Sequence, residues 1–578
     1  MATHHAAMEA VRRSGYAPNF WDFFAFCLFF ATLVLIAHGG HEAFAPLSSL
    51  STAPVSLDPA MLPEYALRTT MRMLAAIAAS LAFTLIYGTL AAKSRRAEVV
   101  LIPLLDILQS VPVLGFLSFT VLGFMSLFPG NVFGVELAAI FAIFTSQAWN
   151  MTFSFYQSLK TVPANLDEAA RSFRLSPWQR FWRLEVPFSM PGLVWNTMMS
   201  MSGGWFFVVA SEAISVGNTT ITLPGVGSYV ALAIAQQDLV AVGWATATMF
   251  AVILIYDQLL FRPLVAWSDK FRVELSAGGA APRSWLLDVV RRTRLLQVLL
   301  VPVGAIVGRM LQRRLAVPSF VPTRLRGATA TAWADRAWFA FVVLVAAYAF
   351  WPVARFIATE LAFADVVAVA GLGLLTMLRV IVLMVFATLV WVPIGIWIGL
   401  RPRVAERMQP LAQFLAAFPA NIVFPFAVVA IVRLGLDPDI WLSPLMILGA
   451  QWYILFNVIA GASSFPNDLK EAAATFRIHG WNWWCKVILP GVFPYYVTGA
   501  ITASGGAWNA SIIAEVVNWG DTTLTAHGLG AYIAAATRAG DYPRIVLGIA
   551  VMSLFVILFN RLVWRPLYAF SGRRLRLE

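Results

Sequence analysis

The chain has 578 residues, 60% of them hydrophobic and only 12% charged, with a formal net charge of +12. A mean hydropathy of +0.75 excludes a soluble globular domain. Recurring apolar runs of about 20 residues mark an integral membrane protein. The positive charge falls in short loops on one side, which is a topology signal and not a nucleic-acid surface.

Residues 1–19 are polar, with Arg12 and Arg13 just before a first span, Phe20 to about Ala37. Ala43-Phe44-Ala45 resembles a signal-peptide cleavage site, but Pro46 follows it directly. The expectation is therefore a retained anchor with a cytoplasmic N-terminus. A second span runs from about Tyr65 to Ala92 and ends at Lys93-Ser-Arg95-Arg96, inside. A third, about Val99–Leu127, is interrupted by Pro103 and Pro112. A fourth runs over about Val135–Leu159 and a fifth over about Pro191–Val216. A short apolar stretch ending near Ala235 re-enters without crossing, and the sixth span, about Val242–Leu264, ends at Arg262-Pro263.

Residues 275–332 read as a linker. Ser284–Arg314 has the pattern of a basic amphipathic helix carrying Arg291, Arg292, Arg294, Arg309, Arg313 and Arg314. It suits either an anionic lipid surface or a regulatory contact. The spans then repeat at about Trp333–Val353, Val366–Leu400, Met408–Leu434, Ile440–Ala460, Pro494–Val517 and Val546–Trp564, which brings the C-terminus back to the cytoplasm.

The two halves are in register. An offset of 303 pairs Glu168 with Glu471, Pro187 with Pro490, Trp205 with Trp508, Glu212 with Glu515 and Arg262 with Arg565. Upstream, an offset of 307 pairs Arg72 with Arg379, Gly88 with Gly395 and Pro112 with Pro419. This is a tandem duplication of a six-span unit. Six is even, so both copies point the same way about an axis along the membrane normal. The expected fold is an all-α polytopic membrane protein of about twelve transmembrane helices, with residues 1–274 and 333–578 as its two membrane domains.

The largest polar loop of each half follows the fourth span. It reads EAARSFRLSPWQRFWRLEVPFSMPG from Glu168 and EAAATFRIHGWNWWCKVILPGVFPYYV from Glu471. Each copy reads as two short helices joined by a bend. Asn165 and Glu168, and in the second copy Asp468 and Glu471, have capping-box spacing, as do Ser176 and Gln179 after Pro177. Trp178, Phe181 and Trp182 share a face, and Trp481 and Trp484 keep it in the second copy. A single such loop could lie on the lipid surface; two at matching places suggest two docking points.

These segments resemble the EAA loop of ABC importer permeases, and the flanking sequence looks most like the nitrate/sulfonate/taurine (and bicarbonate) branch. The resemblance implies permease domains whose cytoplasmic coupling helices fit a groove on ATPase subunits. The residues carried over are Glu168, Ala169, Ala170, Arg174, Trp178 and Phe181, with Glu471, Ala472, Ala473, Arg477, Trp481 and Trp484. It also implies two separate ATPase subunits that bind ATP and Mg, an extracytoplasmic substrate-binding protein, and a bacterial inner-membrane location. The family glycine is Arg174 in one copy and Arg477 in the other, residues that resist a left-handed bend. No Gly-Lys pair exists in the chain, so it has no phosphate-binding loop of its own. The implied role is a transporter subunit with no catalytic residue and no bound cofactor, for a small anionic solute.

Charges inside a membrane need a partner or a task. Arg72 and Glu212 lie at matching depth, as do Arg379 and Glu515. They read either as ion pairs within each half or as charges along the substrate path. Trp205 and Trp508, beside Ser- and Gly-rich stretches, read either as tight packing or as a gate. Cys27 and Cys485 give no disulfide framework, and no His/Cys cluster suggests a metal. The competing class is a twelve-span secondary transporter of major-facilitator type. Against it, the loops after the second spans, AAKSRRAE and LRPRVAER, lack that class's Gly-x-x-x-Asp-Arg pattern.

Overall fold

The computed structural model describes residues 22–23, 46, 54–216, 219–271, 284–293, 302, 304–306, 308–310 and 328–574. The first expected span, Phe20–Ala37, lies outside them apart from Asp22 and Phe23. So do Cys27 and the linker arginines Arg294, Arg313 and Arg314.

Helices dominate. In the first half they run over Leu62–Lys93, Arg95–Ser110, Val113–Leu127, Val132–Lys160, Val186–Glu212, Val226–Ala235 and Leu239–Tyr256. The break at Val111-Pro112 splits the third expected span, because the residue before a proline leaves the helical region. In the second half, Pro402–Ala417 is likewise separated from the helix Phe424–Leu434 at Phe418-Pro419. Val226–Ala235 has ten residues, too short to cross a bilayer.

Among the described residues, six helices are long and apolar enough to cross a membrane, or up to eight if two pairs bent by 75° and 43° each count as one span. That is fewer than the dozen expected. Part of the difference is the first span; another part is Val186–Glu212, whose Asn196, Ser200, Ser202, Gly203 and Gly204 dilute its apolar character.

The fifth spans also end earlier than their apolar runs. The helices stop at Glu212 and Ala514, and each is followed by a two-stranded antiparallel hairpin: Ala213–Val216 with Thr219–Thr222, and Val516–Trp519 with Thr522–Thr525. These segments are rich in Val, Ile and Thr, which favour strands. Gly520, at φ +56°, supplies the left-handed turn of the second hairpin.

The halves interlock. Val113–Leu127 of the first half packs on Leu489–Ala514 and Tyr542–Phe559 of the second. In exchange, Pro402–Ala417 packs on Val186–Glu212 and Leu239–Tyr256. Val113, Leu117 and Phe207 are thereby buried in the core of the second half, and Ile422 in that of the first. The chain past the sixth span returns as a short helix, Trp285–Arg292, capped by Ser284 and seated through Leu286 and Val289. It ends at Thr293 in extended backbone, so the expected continuous helix to Arg314 is not formed.

Candidate coupling and transport site

Each half is tied together by a charge cluster near the end of its spans that carries the hairpin. Arg72 donates through Nη1 to Glu212 at 2.7 Å and to the Pro224 carbonyl at 3.0 Å. Its Nε and Nη2 grip Glu136 at 2.6 and 2.7 Å. Thr69 donates to Glu212 at 2.7 Å and accepts the Val226 N–H, while the Gly227 N–H donates to Glu212 at 2.7 Å. The cluster thus ties the second, fourth and fifth spans to the re-entrant helix. In low dielectric such charges are tolerable because their hydrogen-bonding capacity is filled.

The second half repeats the plan with looser geometry. Arg379 reaches Glu515 at 3.4 Å, Asp439 at 3.0 Å and the His527 carbonyl at 2.6 Å. Thr376 takes the place of Thr69, donating to Glu515 and accepting the Leu529 N–H, both at 2.9 Å. His527 adds a contact absent from the first half, Nδ1 to Asp439 at 2.9 Å. Glu136 and Asp439 are 303 residues apart, the same offset as the pair Glu212 and Glu515, and the sequence reading passed over both.

The polar loops form short helices, Ala164–Ser172 and Pro177–Arg180 in the first copy, Asn467–Thr475 and Gly480–Trp483 in the second. Two expected capping boxes are not formed: these helices start after Pro163 and Pro466, and Asn165 accepts only from the next backbone N–H. The box of Ser176 and Gln179 is present. His479, where Ser176 would be, makes no side-chain cap.

The bend that glycine usually makes is here made by arginine. Arg174 and Arg477 both sit at φ +50°. Leu175 N–H closes on the Ala170 carbonyl at 3.1 Å, and Ile478 N–H on that of Ala473 at 2.9 Å. This is the Schellman pattern that satisfies orphan carbonyls at a helix end. The bend is kept despite the substitution, and both arginines are exposed.

The expected docking residues divide. Glu168, Ala169, Glu471 and Trp481 are exposed, and Ala472 is half-buried. Ala170 and Ala473 turn inward. Phe181 is buried with Met151 and Phe155, and Lys93 lies over its ring. Trp484 packs on the core of the second half. Phe181, buried, and Trp484, half-buried, brace the loops from within. Phe173 and Phe476, 303 apart and passed over at first, are 78% and 76% exposed.

The first loop is lashed by charge. Arg180 bridges Asp167 at 2.9 Å and Glu185 at 3.0 Å, and Glu185 meets Lys93 at 2.8 Å. In the second half Arg180, Glu185 and Lys93 are replaced by Trp483, Ile488 and Leu400, which lie in or against its core, and Asp167 by Lys470. Trp178 is half-buried and donates to the linker carbonyl of Met310 at 3.1 Å, whereas Trp481 is 78% exposed.

Each loop runs without a break into a fifth-span helix. A wide π turn covers Phe181–Glu185 and recurs at Trp484–Ile488, and the long helices Val186–Glu212 and Leu489–Ala514 follow. Their middle sections face each other across a cavity of about 140 Å³ between the halves. Trp205 and Trp508 are each 1% exposed and turn away from it into the cores, Trp205 edge-on to Tyr256. Phe206 and Phe207 line it instead. Arg72, Glu212, Arg379 and Glu515 are all outside its lining. A second, outer space lies toward the hairpins, bounded by Val209, Ala210, Ile512 and Ile513. Among the described residues no group of three His, Cys, Asp or Glu is placed to hold a metal.

A family model for the binding-protein-dependent transport system inner membrane component matches residues 84–262 and again residues 391–576, together more than half of the chain. Curated relatives include a nitrate import permease protein of Leptolyngbya laminosa, 28% identical over 32% of this chain and 63% of its own length. A bicarbonate transport system permease protein of Synechococcus elongatus is 29% identical over 31% of this chain and 60% of its own length. A glycine betaine/proline betaine permease protein of Escherichia coli is 32% identical over 29% and 44%. The chain thus spans about six-tenths of the length of the first two. With one match in each half, it belongs to the family of binding-protein-dependent transport system inner membrane components.

Proposed function

We propose that this chain forms the transmembrane part of an ATP-driven importer, both permease halves in one polypeptide, with ATP hydrolysed on two separate ATPase subunits. The observation that carries this reading is the continuity of each exposed loop with the helix lining the central cavity. A push on Ala164–Arg180 or Asn467–Trp483 moves a rigid rod whose middle section forms the cavity wall. The loops recur at repeat-equivalent positions, so two partners push on two rods related by the two-fold arrangement. Alternating access follows when the rods rock about the interlocked third spans. A binding protein outside delivers the solute to the space beneath the hairpins. The relatives named for nitrate and bicarbonate import favour a small anion.

The test is uptake into proteoliposomes holding the chain, its ATPases and its binding protein. Accumulation of nitrate or bicarbonate that requires internal or external ATP, on the side where the loops lie, supports the reading. Uptake that proceeds without ATP and follows an ion gradient overturns it in favour of a secondary transporter.

A further inference from the structure

We infer that the cavity between the fifth spans is a one-sided recognition site for a small hydrogen-bonding solute carrying at most one charge, read by side-chain amides. This rests on the transport reading above.

Among the described residues, twenty-four from both halves line the cavity and none of these is Asp, Glu, Lys, Arg or His. Its polar groups are the amides of Gln109, Asn150 and Asn509 and the hydroxyls of Ser202, Thr502 and Tyr453, among others. They are not arranged with the symmetry of the fold. The repeat partner of Asn509 is Phe206, that of Gln109 is Ala416, that of Asn150 is Tyr453 and that of Thr502 is Met199. Of these partners Phe206, Ala416 and Tyr453 line the cavity as well, so its two sides offer a solute different groups.

The amides are offered in different degrees. Among the described residues, the side chains of Gln109 and Asn150 have no hydrogen-bond partner. Asn509 is oriented: its oxygen accepts the Val113 N–H at 3.0 Å and its nitrogen donates once, to the Gly505 carbonyl at 3.1 Å. What it has left for a guest is one N–H donor. Ser202 and Tyr453 are committed to each other at 2.5 Å and close the wall between the halves. The free capacity thus includes the N–H donors of Gln109 and Asn150 and the one left on Asn509, beside the amide oxygens of Gln109 and Asn150, and it can meet a solute that carries acceptor oxygens.

Charge sets the upper limit. Desolvating an ion is costly unless opposite charge repays it, and the cost grows with the square of the charge. Amide donors can replace the water around a monoanion such as nitrate or bicarbonate. With no cation in the wall they are poorly matched to a dianion such as sulfate. Size agrees, since a cavity of about 150 Å³ holds one benzene-sized molecule.

The experiment uses the full chain in nanodiscs with Ile501→Cys, at an apolar lining position, in a background of Cys27→Ser and Cys485→Ser. The rate of modification by a small neutral methanethiosulfonate is measured with nitrate, bicarbonate or sulfate at equal ionic strength. Nitrate or bicarbonate is expected to slow modification at least about threefold, with sulfate without effect, and Asn509→Ala should abolish the protection. Protection by sulfate equal to that by the monoanions, or protection by none of the three, overturns the inference. Phe206→Cys, at a second apolar lining position, serves as the reporter if Ile501→Cys does not fold. No ATPase is present, so failure here is separate from failure of ATP-driven transport.

Discussion

Arg72 and Glu212 meet at 2.7 Å with side chains 4% and 0% exposed, and the same guanidinium grips Glu136 from its other edge. Removing the arginine leaves two carboxylates in one buried site. Arg72→Ala should therefore cost about 3–5 kcal/mol of stability, while Glu136→Gln, at a partly exposed member, costs less. Thermal unfolding of the purified chain in detergent ranks the two. If Arg72→Ala instead leaves assembly and basal ATPase activity intact but abolishes transport, the arginine belongs to the path and not to the frame.

Glycine at positions 225 and 528 lets the backbone approach those carboxylates. A Cβ on Gly225 would run into the carboxyl of Glu212, and one on Gly528 into that of Glu515. Gly225→Ala and Gly528→Ala should each destabilise by about 1–3 kcal/mol, as overpacking does. The same unfolding assay reads the effect, and wild-type stability in both variants would show that the cluster has room to move.

The arginines in the docking bends hold a left-handed conformation that costs a residue with a Cβ about 1–2 kcal/mol. Arg174→Gly and Arg477→Gly should leave the bend in place and raise stability slightly. Their effect on stimulated ATP hydrolysis then isolates the side chains: unchanged activity means that the arginines only fill the bend, and a drop means that they touch the ATPase.

The two docking loops should respond differently to salt. Asp167, Arg180, Glu185 and Lys93 form a chain of ion pairs around the first, and partly exposed pairs weaken as screening increases. The second has apolar packing at three of these four positions, through Trp483, Ile488 and Leu400. Amide hydrogen exchange across 164–185 should speed up in about 0.5 M salt, with 467–488 little affected. Equal responses would contradict the difference.

Much of this was legible in the sequence because repeats and membrane chemistry leave coarse signals. The offset of 303 located both polar loops, and matching depth paired Arg72 with Glu212 and Arg379 with Glu515. Glu136 and Asp439 carried the same offset but stood alone in otherwise apolar or turn-like context, so periodicity gave them no weight. The hairpins after the fifth spans were absorbed into apolar runs, since Val, Ile and Thr serve a membrane helix as well as a strand. For Trp205 and Trp508 the sequence leaves packing and a gate equally open; in the fold each fills the core of its half. The cavity was hidden altogether. Its amides come from helices hundreds of residues apart, and only the exchange of third spans between halves brings Gln109 and Asn509 to one wall.

The central claim, that two loops dock two ATPases, is tested most directly by purifying the chain from native membranes and counting what accompanies it. The account predicts about two ATPase subunits per chain, in keeping with the two loops, and their loss when Glu168 and Glu471 are replaced together with Phe173 and Phe476. A chain that purifies alone, with no ATPase at any stoichiometry, and still moves solute in vesicles lacking ATP would contradict it.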